Sequence, residues 1–230
     1  MKYVIGNWKM NGTADMLTQF AELPENAVLC VPFHLLAESA KIIKTGAEDC
    51  SAQEFGAFTG EVSAKMIAST GAKYSLVGHS ERRRYFNETN KIVAAKAAKC
   101  LDHGLVPIIC VGENKEQKES YETLRVIEDQ VWQSIPDVSK IKSEIIIAYE
   151  PVWAIGTGLV PSVNEIKKVH NHIAAMLNEM ELPETTILYG GSVNPENAAE
   201  IMGIENVGGV LVGGASLDIK QFKEIINAGK

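Results

Sequence analysis

Basic side chains are too few to give this chain a cationic surface: Lys and Arg number 22 against 29 Asp and Glu, a net charge of −7. That balance argues against a nucleic acid or an anionic membrane held by bulk charge, and an anionic small molecule would need locally placed positive groups. Long apolar runs are missing as well. Nothing approaches the roughly 18 consecutive apolar residues of a membrane span, and the opening run Tyr3-Val4-Ile5 is far too short for a signal-peptide core, so a cytoplasmic protein is expected. The four cysteines, Cys30, Cys50, Cys100 and Cys110, form no C-x-x-C pair and read as buried reduced thiols. Neither H-E-x-x-H nor a Cys/His ligand spacing occurs; His170 and His172 are two apart on a helical pattern and do not share a face, and no metal is expected. The G-x-G-x-x-G turn of dinucleotide-binding folds and the G-x-x-x-x-G-K-[ST] phosphate loop are absent too.

What is present is a folded-protein composition, 46% hydrophobic and 22% charged over 230 residues, with short apolar runs recurring along it. Eight candidate strands fall at residues 3–5, 28–31, 47–52 (the weakest), 75–78, 105–111, 144–149, 186–189 and 209–212. Their near-continuous hydrophobicity is that of strands covered on both faces, the usual state of a parallel sheet. Amphipathic segments at residues 90–103, 115–132, 163–178 and 217–227 suit crossover helices. Eight units of about 29 residues each are near the minimum for a βα unit and leave no room for a second domain. A single (β/α)8 barrel over residues 1–230 is expected, with an open doubly wound sheet as the alternative.

In a parallel barrel every strand ends on one face, so residues just after the strands converge there. Asn7 and Lys9 follow the first strand, two residues apart, and can offer a neutral donor and a fixed cation to developing negative charge. His79 follows the fourth strand just before a helix whose positive end favours a neutral imidazole, and Glu81 can pair with Lys9. Glu150 follows the sixth strand; apolar surroundings would raise its proton affinity and make it a better base. The segment after it, from Pro151 through Ile155 to Leu159, could close as a lid. Gly190-Gly191-Ser192 and Gly213-Gly214 follow the last two strands, the usual phosphate position of this architecture. Taken singly, each has a plainer reading: a polar turn, Ser80 capping a helix with a solvated Arg run, a surface loop, two tight turns.

Taken together, Gly6-Asn7-Trp8-Lys9-Met10-Asn11-Gly12, Gly78-His79-Ser80-Glu81-Arg82-Arg83, Tyr149-Glu150-Pro151-Val152-Trp153-Ala154-Ile155-Gly156-Thr157-Gly158, Tyr189-Gly190-Gly191-Ser192-Val193 and Leu211-Val212-Gly213-Gly214-Ala215-Ser216 resemble the signature set of the triosephosphate isomerase family, in order along the chain. The resemblance implies interconversion of two triose phosphates through an enediolate, without a cofactor. It makes Glu150 the base, His79 the neutral imidazole that polarises the carbonyl and shuttles protons, Lys9 and Asn7 stabilisers of negative charge, and Glu81 a polar partner of Lys9. Backbone N–H groups of Gly156, Ser192, Gly213 and Gly214 would grip the phosphate, with Ile155 and Leu211 closing around the base. Thr59 and Gly60-Glu61-Val62-Ser63 resemble the family's dimer loop, implying a homodimer. Three departures stand out: a short first helix, a shortened segment ahead of the dimer loop, and Leu159 where a Lys commonly follows the lid. Another phosphosugar barrel enzyme would share the late glycines but not the set Lys9, His79 and Glu150; a non-catalytic triose-phosphate binder would be expected to have lost Glu150.

Overall fold

The computed structural model describes residues 2–230. Eight strands, β1 (Tyr3–Asn7), β2 (Ala27–Val31), β3 (Thr45–Ala47), β4 (Tyr74–Val77), β5 (Val106–Val111), β6 (Ile146–Tyr149), β7 (Thr186–Tyr189) and β8 (Gly209–Val212), pair in parallel in chain order. β8 returns to β1 with Tyr3 opposite Gly209 and Ile5 opposite Leu211, which closes the barrel. The helices are α1 (Ala14–Leu17), α2 (Leu36–Ser39), α3 (Ala64–Ser69), α4 (Ser80–Phe86), α5 (Asn90–Asp102), α6 (Lys115–Glu119), α7 (Thr123–Ser134), α8 (Val163–Glu179), α9 (Ala198–Met202) and α10 (Ile219–Ala228).

Strand side chains alternate between two separate cores. Ile5, Val28, Cys30, Leu76, Ile108, Cys110, Ile146, Ala148, Leu188 and Leu211 fill the barrel interior. Their neighbours Val4, Leu29, Val31, Val77, Ile109, Val111 and Ile147 pack outward with the helices. Both faces are therefore apolar, which is why the strands read as continuous runs rather than alternations. All four cysteines are buried and free.

Three elements differ from the sequence reading. The third strand is Thr45–Ala47, not residues 47–52. Beyond Ala47 the chain leaves the sheet, because Asp49 is drawn to the buried Lys96 of α5, whose Nζ lies 2.7 Å from Oδ1. The long helix expected at residues 115–132 is two helices, broken at Tyr121, which sits at φ 60°. An Asn114–Gln117 capping box opens α6, and the left-handed Tyr121 stops it where no glycine marks the sequence. The last helix likewise starts at Ile219, capped by Asp218, instead of at Leu217.

Candidate active site

Strand alternation aims the key side chains. Ile146 and Ala148 face the barrel interior, so Glu150, two residues on, continues into its mouth; Ile5 does the same for Asn7 on β1. Both are buried. Just after β4, Gly78 takes φ 68° and turns the chain so that His79 opens α4 over the mouth. The result is a cavity of about 220 Å³ lined by Asn7, Lys9, His79, Glu150, Gly156, Ser192, Gly213 and Gly214, together with Ile155 and Leu211. Among the proposed residues only Glu81 lies outside that lining; it joins through Lys9, whose Nζ is 2.6 Å from Glu81 Oε1.

Lys9 is the one Lys or Arg among the lining residues. Its backbone is left-handed, φ 55°, an unfavourable geometry for a non-glycine residue. Its N–H donates to Asn7 Oδ1 at 3.1 Å, its carbonyl accepts the Asn11 N–H at 2.9 Å, and Asn11 Nδ2 donates to Trp8 O at 2.8 Å. Trp8, fully buried, is tied in turn by its indole N–H to Ser216 O at 3.1 Å. The turn is thus over-determined, and the cation at its tip is aimed by the fold.

His79, not Ser80, caps α4: its Nδ1 accepts the Glu81 N–H at 3.2 Å. A nitrogen that accepts a backbone N–H carries no proton, so the proton of the neutral ring sits on Nε2, 3.0 Å from Glu150 Oε1. The other carboxylate oxygen, Oε2, accepts the Ser80 N–H at 3.1 Å. Nor is the whole Arg run solvated: Arg82 pairs with Asp49 and Glu88, and Arg83 is held by Gly78 O, Cys110 O and Asn90, while Arg84 is exposed.

Burial alone would raise the Glu150 pKa, as the sequence reading expected. Instead the charge and hydrogen bond of His79, the Ser80 N–H and the Lys9 charge outweigh desolvation and hold it below the usual carboxylate value. For His79 the balance is reciprocal. Desolvation pulls its pKa down, but the Glu150 charge and hydrogen bond raise it above the ordinary imidazole value.

Two glycines make room for the carboxylate. A Cβ on Gly112 would lie 1.7 Å from the Glu150 carbonyl oxygen, and one on Gly190 would lie 2.9 Å from Glu150 Cγ. The first permits the close pairing of the β5 and β6 ends; the second leaves the side chain free to turn.

Residues 151–159 arch beside the cavity. A single turn, Val152–Ala154, follows Pro151, and the Trp153 indole N–H donates to Glu113 Oε1 at 2.7 Å. Ser192, expected to offer its backbone N–H, also uses its hydroxyl: Oγ donates to Ala154 O at 2.6 Å. Gly156 and Gly158 are left-handed and residues 156–160 are exposed, so the arch is anchored at its start and open at its tip.

Three contributors were missed by the sequence reading. Ser80 acts by its backbone and Glu113 by an indole contact, neither of which a residue type announces. Glu48, just past β3, is the third: desolvation raises its pKa to about 8, against the opposing Lys9 N–H and charge, with Glu81 adding to the rise. Its buried Oε1 has no hydrogen-bond partner among the described residues. Among the described residues no group of three or more His, Cys, Asp or Glu is placed to hold a metal ion.

The triosephosphate isomerase family model matches residues 2–229. The triosephosphate isomerase of Hyphomonas neptunium is 46% identical, with 96% of each chain covered. That of Mesorhizobium japonicum is 44% identical, covering 98% of this chain and 94% of its own. The crystal structure of triosephosphate isomerase from Bartonella henselae superposes with a TM-score of 0.90 at 36% identity, covering 99% of this chain and 98% of that one. With a closed eight-stranded parallel barrel and this convergence of strand ends, the chain belongs to the triosephosphate isomerase family of enzymes.

Proposed function

We propose that the chain interconverts dihydroxyacetone phosphate and D-glyceraldehyde 3-phosphate through an enediolate, with Glu150 as the proton carrier, serving glycolysis and gluconeogenesis. The observation that supports this most directly is the buried Glu150 carboxylate 3.0 Å from His79 Nε2, in a cavity that also holds Lys9 and two glycine-rich strand ends. The carboxylate turns from the Ser80 N–H toward the substrate and takes a proton from the carbon beside the carbonyl. The C–H electrons form the enediolate, and the carbonyl oxygen gains charge opposite His79 Nε2–H, with Asn7 and Lys9 beside it. His79 passes a proton between the two enediolate oxygens, so that one becomes the hydroxyl and the other the new carbonyl, and Glu150 returns its proton to the neighbouring carbon, which completes the isomerisation.

The move of Glu150 also sets the state of His79. While the carboxylate rests on the ring it raises the imidazole pKa; once it leaves, desolvation and Lys9 favour the neutral ring, a donor through Nε2. The phosphate is gripped by the backbone N–H groups of Gly156, Ser192, Gly213 and Gly214, with the Lys9 charge compensating in a chain of net charge −7. No cofactor enters these steps. A coupled assay of glyceraldehyde 3-phosphate isomerisation on metal-stripped protein tests the reading, and a folded protein without turnover would refute it.

The functional form on this reading is a homodimer. Residues 59–61 are exposed, as are Phe55 at 84% and, next to Lys9 in the chain, Met10 at 97%. Large apolar side chains so placed suit a second copy of the chain. Sedimentation of a fully active monomer would contradict it.

A further inference from the structure

The geometry points to Lys118 of α6 as a positioning residue that clamps both ends of the lid through one ammonium group. This inference rests on the isomerase reading, since the lid matters only where an intermediate must be enclosed.

Lys118 Nζ stands 4.9 Å from the centroid of the Trp153 ring, at the start of the lid. The same Nζ pairs with Glu165 Oε1 on the first turn of α8, just past the lid's end. Glu165 is itself committed: its Oε2 accepts the Ser162 N–H at 2.9 Å and the Ser162 hydroxyl at 2.8 Å, completing the capping box of α8. The hydrogen bond from Lys118, together with those from Ser162, lowers the Glu165 pKa to about 2, so the carboxylate is charged throughout the working range. Trp153 directly, and Ser162 through Glu165, are thereby tied to one ammonium group, with the exposed residues 156–160 as the span between the two anchors. The platform beneath is short but firm: Asn114 Oδ1 accepts the Gln117 N–H at 2.8 Å, and Asn114 O accepts the Lys118 N–H at 3.0 Å. Glu113, which holds the Trp153 indole N–H, precedes the same helix, so face and edge of that ring are both set by one segment.

An isolated surface ion pair contributes little, but here the cation is shared between a ring face and a carboxylate that also caps a helix. Without it, Trp153 is held at one edge only and the lid's two anchors move independently. In the proposed reaction an imperfectly closed lid has a chemical signature. The enediolate expels phosphate: the C–O bond breaks with its electron pair leaving on inorganic phosphate, the enediolate electrons form a C=C bond, and the resulting enol tautomerises to methylglyoxal. No oxidant or reductant is needed.

The test uses full-length protein labelled with 5-fluorotryptophan, with the Trp153 fluorine resonance assigned through Trp153→Phe. Wild type, Lys118→Met, Lys118→Arg and the control Lys115→Met, whose exposed side chain pairs with Glu119 at 3.8 Å, are compared with and without inorganic phosphate. Lys118→Met is expected to shift and broaden the Trp153 resonance and to raise the ratio of inorganic phosphate to isomer about threefold to tenfold, the scale of one cation–π contact. Lys118→Arg and Lys115→Met are expected to match wild type. A folded Lys118→Met with unmoved resonance and ratio, or an Arg variant no better than Met, overturns the clamp. Should Lys118→Met not fold, Glu165→Gln removes the charge while keeping an oxygen to cap Ser162, and an unchanged ratio there overturns it equally. A wild type that binds phosphate but does not isomerise refutes the functional reading, and the Trp153 resonance in Lys118→Met still decides the clamp.

Discussion

The imidazole of His79 lies between two groups that ask opposite things of it: Nδ1 accepts the Glu81 N–H at 3.2 Å, and Nε2 faces Glu150 Oε1 at 3.0 Å. The helix start favours a neutral ring, the carboxylate a charged one. His79 is raised and Glu150 lowered, so their mutual stabilisation is fully present between the ordinary carboxylate and imidazole values. It fades as pH falls through the Glu150 pKa or rises through that of His79. In Glu150→Gln the charge is gone while desolvation and Lys9 remain, opposed by the Glu81 charge, so the His79 pKa should fall from its raised wild-type position. NMR titration of the ring in both proteins measures this, and a variant that titrates as wild type does would show that Glu150 is not what raises it.

Glu150→Asp keeps the charge but withdraws the carboxylate by one methylene. Because a misplacement near 1 Å can cost on the order of 10²-fold in rate, kcat should drop by about that factor while KM changes little. Near wild-type turnover in both the Asp and Gln variants would remove Glu150 from the chemistry.

Among the described residues, Lys9 supplies the only fixed positive side chain of the cavity lining, with Glu81 2.6 Å away sharing its field. A unit charge about 4 Å from a developing oxyanion interacts by roughly 4 kcal/mol at an effective dielectric of 20, before desolvation is subtracted. Lys9→Met should therefore weaken inorganic phosphate binding and lower kcat by at least an order of magnitude. Retention of both would place the cation's role elsewhere.

How far these groups were legible beforehand depends on whether a side chain or an approach in space does the work. Asn7, His79 and Glu150 follow strands whose apolar character marks them, and a closed parallel barrel carries every strand end to one mouth. The Ser80 N–H that holds Glu150 comes from 70 residues away and belongs to the backbone, so no residue type points to it. Glu113 is a plain polar residue after β5 until Trp153 folds back on it. The misplaced third strand has the same origin: Ala47, Cys50 and Ala52 read as one apolar run, but the pull of Lys96 on Asp49 is decided by α5.

Glu48 follows from that misplacement, because the chain that leaves the sheet after Ala47 sets this carboxyl beside Lys9 and Glu81. Desolvation is the main cause of its rise from 4.5 to about 8, with the Glu81 charge adding to it and Lys9 opposing. A folded-state pKa above the unfolded value means that the native state binds the proton more tightly. The associated stability is fully present below about 4.5 and is lost as pH rises through about 8. Glu48→Gln stays neutral at every pH and avoids that loss. Allowing for the part of the carboxylate that remains solvated, the variant should gain on the order of 3 kcal/mol over wild type at high pH and almost nothing in mild acid. Urea unfolding at pH 5 and pH 9 measures the difference. A gain of equal size at both values would mean that the substitution improves packing and that Glu48 does not titrate in the folded protein. An absent gain at both would mean that the carboxylate is ionised and compensated, leaving its unpartnered Oε1 without an energetic consequence.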